Sequence, residues 1–343
     1  MSGRLKQRAK WLIIQNPAIA SANLDCVLPL PVKSDEGGRR RGGEASRAMA
    51  AGKGADDRIA ELVESILVQT PLKAAGFIVT IYGDVVEPRG GVVWIGNLIE
   101  TCAAVGISET LVRTAVSRLV AAGQLLGERA GRRSYYRLSK AAGSEFAAAA
   151  RIIFSGAQEE NWQLVHLAGA EAEETMQALE RAGYARLDPR LAIGPARQAP
   201  PLAGGLILRA DSPDPKALAA FVRAYWDLAP HAAAYRTFLQ QFAPVARLAE
   251  KRSLAPATAL TMRLLLIHRF RSVLLNDPRL PAAALPEDWP GREARRLFAT
   301  LYRHLSPAAD DHIARTFISG SGALSAVTED TRKRLSLLET QAL

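Results

Sequence analysis

The stretch RTAVSRLVAAGQLLGERAGRRSYYRLS, residues 113–139, restricts the fold more than any other. An amphipathic helix halts at a glycine and leads directly into a hairpin whose tip is crowded with arginine. The helix is predicted over Ser108 to Ala122, with the Ser108 hydroxyl as its N-cap and Gly123 as its left-handed stop. Leu111, Val112, Ala115, Val116, Leu119 and Val120 make its apolar side. Thr110, Arg113, Thr114, Ser117 and Arg118 lie largely opposite. A short helix, GNLIETCAAVG, precedes it and ends at Gly106. Helix, glycine-containing turn and helix form a helix-turn-helix, whose second helix suits the major groove. Three-helix packing by itself would give the same apolar pattern, so the hairpin decides the reading.

In the returning strand Ser134, Tyr136 and Leu138 fall on one face, and Arg133, Tyr135 and Arg137 on the other. The first face is expected to pack inward and the second to stay open, with Arg132 near the tip. Such a hairpin is a wing. Phosphate contacts fix register and orientation, while the helix reads base edges. Arg113, with Thr110, Thr114 and Ser117, is therefore predicted to read bases, an arginine being able to bond guanine twice. Arg132, Arg133 and Tyr135 are predicted to anchor phosphates.

Charge agrees with this division. The net charge is +10, and residues 105–140 hold seven Lys/Arg against two Asp/Glu. Focused basic charge on one small module fits a nucleic-acid face. Residues 1–55 are also basic, with ten Lys/Arg against four Asp/Glu, and mix Gly, Arg, Ser and Ala. That composition predicts a flexible basic extension over 1–56. Its apolar core, Trp11 to Ile14, is too short for a signal peptide. Cys26 and Cys102 are the only cysteines, which argues against a disulfide scaffold or thiolate metal site and fits a reducing cytoplasm. No apolar run is long enough to span a membrane.

Three folded units follow the extension. Residues 57–143 read as the winged helix-turn-helix, with LKAAGFIVTIYGDVV as a buried helix and VVWI as a short strand. Residues 158–245 read as strand (WQLVHL), helix (EAEETMQALERAG), strand (YARLDPRLAI), strand (GGLILRA) and a helix opened by Pro215. That order predicts a small α+β unit of ferredoxin-like type. Residues 253–340 read as helical, with REARRLFATLYRHL stopped by the following Ser-Pro. The fold class is thus α+β and multidomain.

FIVTIYGDVVEPRGGVVWIGNLIE, GISETLVRTAVSRLVAAGQL and GRRSYYRLS resemble the PaaX family, repressors of bacterial phenylacetic acid degradation operons. The likeness continues through RAGYARLDPRLAI and HRFRSVLLNDPRLPAAALPEDWPG, so that it covers roughly residues 70–320. It implies a winged helix, a central domain similar to the CRISPR-associated nuclease Cas2, and a helical C-terminal domain. It further implies a homodimer on an inverted-repeat operator, released by phenylacetyl-coenzyme A. An acyl-CoA needs cations for its phosphates, which makes Arg263, His268, Arg269 and Arg271, interleaved with large apolar residues, the effector candidates. A solvated or salt-bridged helix face, with His268 as an ordinary buried histidine, competes with that assignment. Trp226 and Trp289 would suit an aromatic pocket, but equally the core.

The rival classes are an enzyme and an interaction adaptor. A metal-dependent nuclease of Cas2 type needs a carboxylate at the end of its first strand, and WQLVHLAGA ends without one. Asp188 precedes Pro189, where a turn explains it. No Ser/His/Asp or Cys/His signature, P-loop or H-E-x-x-H is present. No catalytic residue, metal or cofactor is therefore expected. An intact basic wing argues against an adaptor, a class that stays open until DNA binding is assayed directly.

Overall fold

The structure is a computed structural model, describing residues 45–156, 161–196, 205–212, 214–250 and 253–342. Helix α1 spans Ala45–Gln69. It starts ahead of the extension's predicted end at residue 56, and residues 1–44 lie outside the described part. The composition argument concerned burial, whereas the alanines of ASRAMAA favour a helix without it.

Helix α2 (Ala74–Ile81) was expected to run on through Val86. Instead it passes into a π-helical turn at Tyr82–Val86 and a 3-10 turn at Glu87–Arg89, closed by Gly90 at φ 99°. A run rich in apolar residues does not signal such a turn. The wider coil brings Asp84 fully inside. Then follow β1 (Val92–Trp94), α3 (Ile95–Ala103), α4 (Glu109–Ala121), β2 (Leu125–Ala130), β3 (Arg133–Leu138) and α5 (Lys140–Phe154). The three strands form an antiparallel sheet in the order β1-β3-β2, so β3 is central.

The central segment contains β4 (Trp162–His166), α6 (Ala172–Arg181), β5 (Ala185–Asp188), β6 (Leu191–Pro195), β7 (Leu206–Ala210) and α7 (Pro215–Tyr225). YARLDPRLAI was read as one strand with a proline turn, and it forms two strands paired antiparallel. The Asp188 carboxylate closes the turn by accepting the Arg190 amide at 2.6 Å. All pairings are antiparallel, in the order β5-β6-β4-β7. Val165 and Ala192 meet in the register and pack with Met176, Leu179 and Tyr184 as a small separate core.

The remainder is helical apart from one short hairpin: α8 (Ala229–Ala249), α9 (Pro256–Asn276), α10 (Pro290–Thr316), β8 (Ile318–Ser319), β9 (Gly322–Ala323) and α11 (Glu329–Ala342). The predicted stop at Ser306-Pro307 does not occur, and α10 continues through Pro307. Proline removes one backbone donor there, while the Ser306 hydroxyl donates to the Tyr302 carbonyl at 2.8 Å.

The main core is continuous from Ile59 to Leu338. It joins α2, α3 and α4 to α8, α9 and α10, with Phe154 of α5 edge-on to Tyr302 of α10 at 5.3 Å between ring centres. At its centre lie four charges. Arg263 Nε donates to Asp84 Oδ2 at 3.0 Å, and its Nη1 donates to Asp310 Oδ1 at 2.6 Å. Arg89 Nη2 donates to the same Asp310 oxygen at 2.6 Å, and the Tyr302 hydroxyl donates to Asp84 Oδ1 at 2.7 Å. Two cations and two anions leave the group neutral, as burial of charge requires.

Candidate nucleic-acid interface

Helix α3 ends in a turn carried by Gly106 at φ 78°, a conformation glycine adopts without strain. The Ser108 hydroxyl accepts the Leu111 amide and opens α4, and Gly123 at φ 68° ends the turn after it. Val112, Ala115, Val116 and Leu119 are buried beneath α4. Leu111 and Val120, read as part of that apolar side, are exposed instead, at 56% and 38%. They flank the buried stripe, beyond the reach of its neighbours.

Thr110, Arg113, Thr114 and Ser117 are all exposed, and their spacing puts them on one face of α4. The sequence reading missed the partner of Arg113. Its guanidinium is held at 2.7 Å by Glu109, one turn earlier, in an exposed i,i+4 ion pair. Such a pair is worth only about 0.3–0.5 kcal/mol, so a guanine edge or phosphate can displace it.

Strands β2 and β3 pair from Leu125↔Leu138 to Ala130↔Arg133, leaving Gly131 and Arg132 as the hairpin loop. Gly131 has φ 60°, and Arg132 is not among the positive-φ residues. This is the pattern of a II′ turn, in which glycine takes the first central place. Arg132 and Arg133 are exposed at the tip. Tyr135 needs correcting: it belongs to the open face with Arg133 and Arg137, yet it is only 8% exposed. Because β3 is the central strand, Tyr135 is flanked by Trp94 on β1 and Glu128 on β2 in the register. Its ring is therefore a supporting element of that face, not a free phosphate contact. Tyr136 and Leu138 turn to the core, as predicted.

Arg137 is exposed on the open face, as expected, and Arg129 of β2, which sequence reasoning did not place in the interface, is exposed on the same hairpin. Trp94, also overlooked, sits beneath Arg133, whose guanidinium lies 5.1 Å from the ring centre. Alternation along one strand cannot reveal such neighbours, since they arrive from β1.

The four effector candidates share α9 but form no open site. Arg263 is 1% exposed and spent on Asp84 and Asp310. Burial would lower its pKa, but Asp84, Tyr302 and Asp310 outweigh burial and raise it, so it stays cationic. Arg269 donates to the Thr70 carbonyl just past the end of α1, where a cation complements the helix dipole. Arg271 donates to the Gly76 carbonyl at 3.2 Å. The His268 ring bonds the Thr80 hydroxyl at 2.7 Å, and burial, with Arg271 and Arg269 nearby, pushes its pKa down to about 3. Three of the four thus fasten α9 to the segment around α2, and the fourth fills the core. A cavity of about 30 Å³ beside Arg271, lined by Phe146, Phe154 and Ile267, has room for water but not for a coenzyme. Trp226 donates its indole N–H to the Gly183 carbonyl, and Trp289 packs edge-on against Tyr235. Both are structural contacts, as the competing reading of these tryptophans has it.

Comparison with known proteins adds a decisive finding. The chain is 32% identical over 280 residues to the Transcriptional repressor PaaX of Escherichia coli (strain K12), spanning 74% of this chain and 86% of that protein. The chain belongs to the PaaX family. The family model described as PaaX-like protein matches residues 73–142, and that described as PaaX-like protein C-terminal domain matches 226–315. On the fold these two PaaX segments are α2 to the start of α5, and α8 to α10. They are the two parts that share the main core, and the central sheet lies outside both. A solved structure, Uncharacterized protein Rv0674 from Mycobacterium tuberculosis, is similar with a TM-score of 0.42 and 24% identity, over 63% of this chain and 89% of that one. PaaX proteins are non-enzymatic regulators. Among the described residues no cluster of three metal-ligating side chains occurs, and no helix is long and apolar enough to cross a membrane.

Proposed function

We propose that this PaaX-family protein is a transcriptional repressor that binds double-stranded DNA through a winged helix-turn-helix in residues 57–143. Helix α4 enters the major groove, with Thr110, Arg113, Thr114 and Ser117 toward the bases. Arg132 and Arg133 contact phosphates beside the groove, over the buried ring of Tyr135. One observation carries this reading: the exposed polar face of α4 and the arginine tip of β2–β3 belong to one sheet-and-helix unit and can engage one duplex together.

The central unit, predicted over residues 158–245, is read as a ferredoxin-like, Cas2-like domain running from β4 to α7, supported by its fully antiparallel β5-β6-β4-β7 order. Helix α8 (Ala229–Ala249) crosses the predicted end because its apolar face packs into the main core. The helical segment, predicted over 253–340, starts earlier, at α8, and completes the division. The protein acts as a cytoplasmic homodimer on an inverted repeat. Two α4 helices fit successive major grooves only about 34 Å apart. An effector that favours another spacing weakens binding by its differential affinity for the two geometries. The effector proposed is an aryl-CoA, phenylacetyl-coenzyme A, at a site other than the buried cations of α9.

The test is fluorescence anisotropy of the full chain on its own upstream promoter DNA, with and without phenylacetyl-coenzyme A. Specific binding abolished by the thioester, and not by free phenylacetate, is the expected result. Binding that ignores the thioester removes the effector and keeps the repressor. No specific binding at moderate salt overturns the repressor and favours an interaction adaptor.

A further inference from the structure

We infer that Trp94 is a positioning residue for the wing: its indole holds the Arg133 guanidinium in place without neutralising it. The inference rests on the DNA-binding reading above and adds to it a residue outside the helix and the hairpin.

The indole has a built seat. A Cβ placed on Gly96 would lie 2.3–2.4 Å from three carbons of the Trp94 ring, so the ring folds back over the first turn of α3 where only glycine leaves room. Trp94 also packs against the main core and pairs with Tyr135 across β1–β3. The ring is thereby fixed to both the helix-turn-helix and the central strand of the sheet. Arg133, the first residue of β3, lays its guanidinium over that ring at 5.1 Å.

The manner of holding matters. Arg113 is held by a carboxylate, which occupies its donors and cancels its charge until DNA displaces it. Arg133 makes no ion pair among the described residues, and its guanidinium lies on the Trp94 ring face instead. A ring face attracts a guanidinium through its quadrupole and leaves the in-plane N–H groups free. Arg133 therefore meets a phosphate already oriented, with its full charge and less side-chain entropy to lose. Because Trp94 leads directly into α3, the same contact ties the direction of that guanidinium to the helix-turn-helix.

The test is a double-mutant cycle in the full chain, read by anisotropy on the upstream promoter duplex and on an unrelated duplex of equal length. Arg133→Ala is expected to weaken both duplexes alike. Trp94→Leu should weaken both by about 2- to 5-fold, the range of an exposed cation–π contact. The double variant should bind no more weakly than Arg133→Ala. Trp94→Phe, which keeps a ring face, should restore most of the loss. Should Trp94→Leu lose its cooperative unfolding transition, Trp94→Phe against Trp94→Met asks the same question with bulk retained. Equal binding by the Phe and Met variants, or losses that simply add in the double variant, overturns the inference while the repressor stands. If Arg133→Ala and Arg113→Ala both bind like wild type, the docking model itself fails, and the inference with it.

Discussion

Asp84 and Arg263 are 179 residues apart in the chain, and their side chains meet 3.0 Å apart in the interior. The carboxylate comes from the π-helical turn beyond α2, and the guanidinium from the middle of α9. Asp310 of α10 and Arg89 complete the neutral set, and Arg89 reaches on to the carbonyls of Ser325 and Ala326. The segment carrying α4 is thus joined to the C-terminal helices by charge as well as by apolar packing.

Removing one member of this set strands the others. Arg263→Met should cost about 3–5 kcal/mol of stability, because Asp84 is left buried without its cation. Arg263→Met combined with Asp84→Leu should cost less than Arg263→Met alone. Denaturant unfolding of the two variants checks the ordering.

The Arg113–Glu109 pair makes a prediction of opposite sign. Glu109→Gln frees the guanidinium and removes a negative charge from the face of α4 that the proposed docking turns to the polyanion. DNA affinity should rise about twofold or more at low salt, given the small worth of an exposed pair. A titration at several salt concentrations reads both the affinity and its slope.

The two ends of the interface should fail differently. Arg113→Ala should cost about 1–3 kcal/mol on the promoter duplex and relax discrimination between bases. Arg132→Ala should weaken all sequences alike and lower the slope of log K against log salt by about 0.9. Substituting single base pairs in the duplex separates the two outcomes.

His268 sets a pH dependence. Its pKa in the fold is pushed down to about 3, principally by burial, against 6.5 when exposed. The unfolded chain therefore binds the proton first. Stability contributed by this group is complete above pH 6.5 and declines as the pH falls toward 3. At pH 5 the loss is about 2 kcal/mol. His268→Gln should flatten the difference in unfolding free energy between pH 7 and pH 5 by that amount.

Much of the interface is legible in the sequence because local rules govern it. Ser108, Gly106, Gly123 and Gly131 mark the ends of α3, α4 and β2, and period-two alternation correctly turns Tyr136 and Leu138 inward. Errors arise where a neighbour comes from far along the chain. The burial of Tyr135 depends on β1, and the pairing of Arg113 on a glutamate that reads as an ordinary first-turn acid. Arg263 shows the limit most clearly. A cation in an apolar helix reads as a ligand site until its counter-charges are known. A signal was present, since Asp84 in YGDVV and Asp310 in SPAADD are also acids beside apolar residues. Periodicity reports that a face is covered and is silent on what covers it.

The continuity of the core from Ile59 to Leu338 also has a temporal side. The segment from α2 to α4 is synthesised before Phe298, Phe317, Leu324 and Leu338, which share one core with it. A nascent chain that stops short of α8 therefore carries α4 without the C-terminal part of that core. Closing that core therefore waits on the C-terminal helices, and the folding of the α2–α4 segment is coupled to theirs.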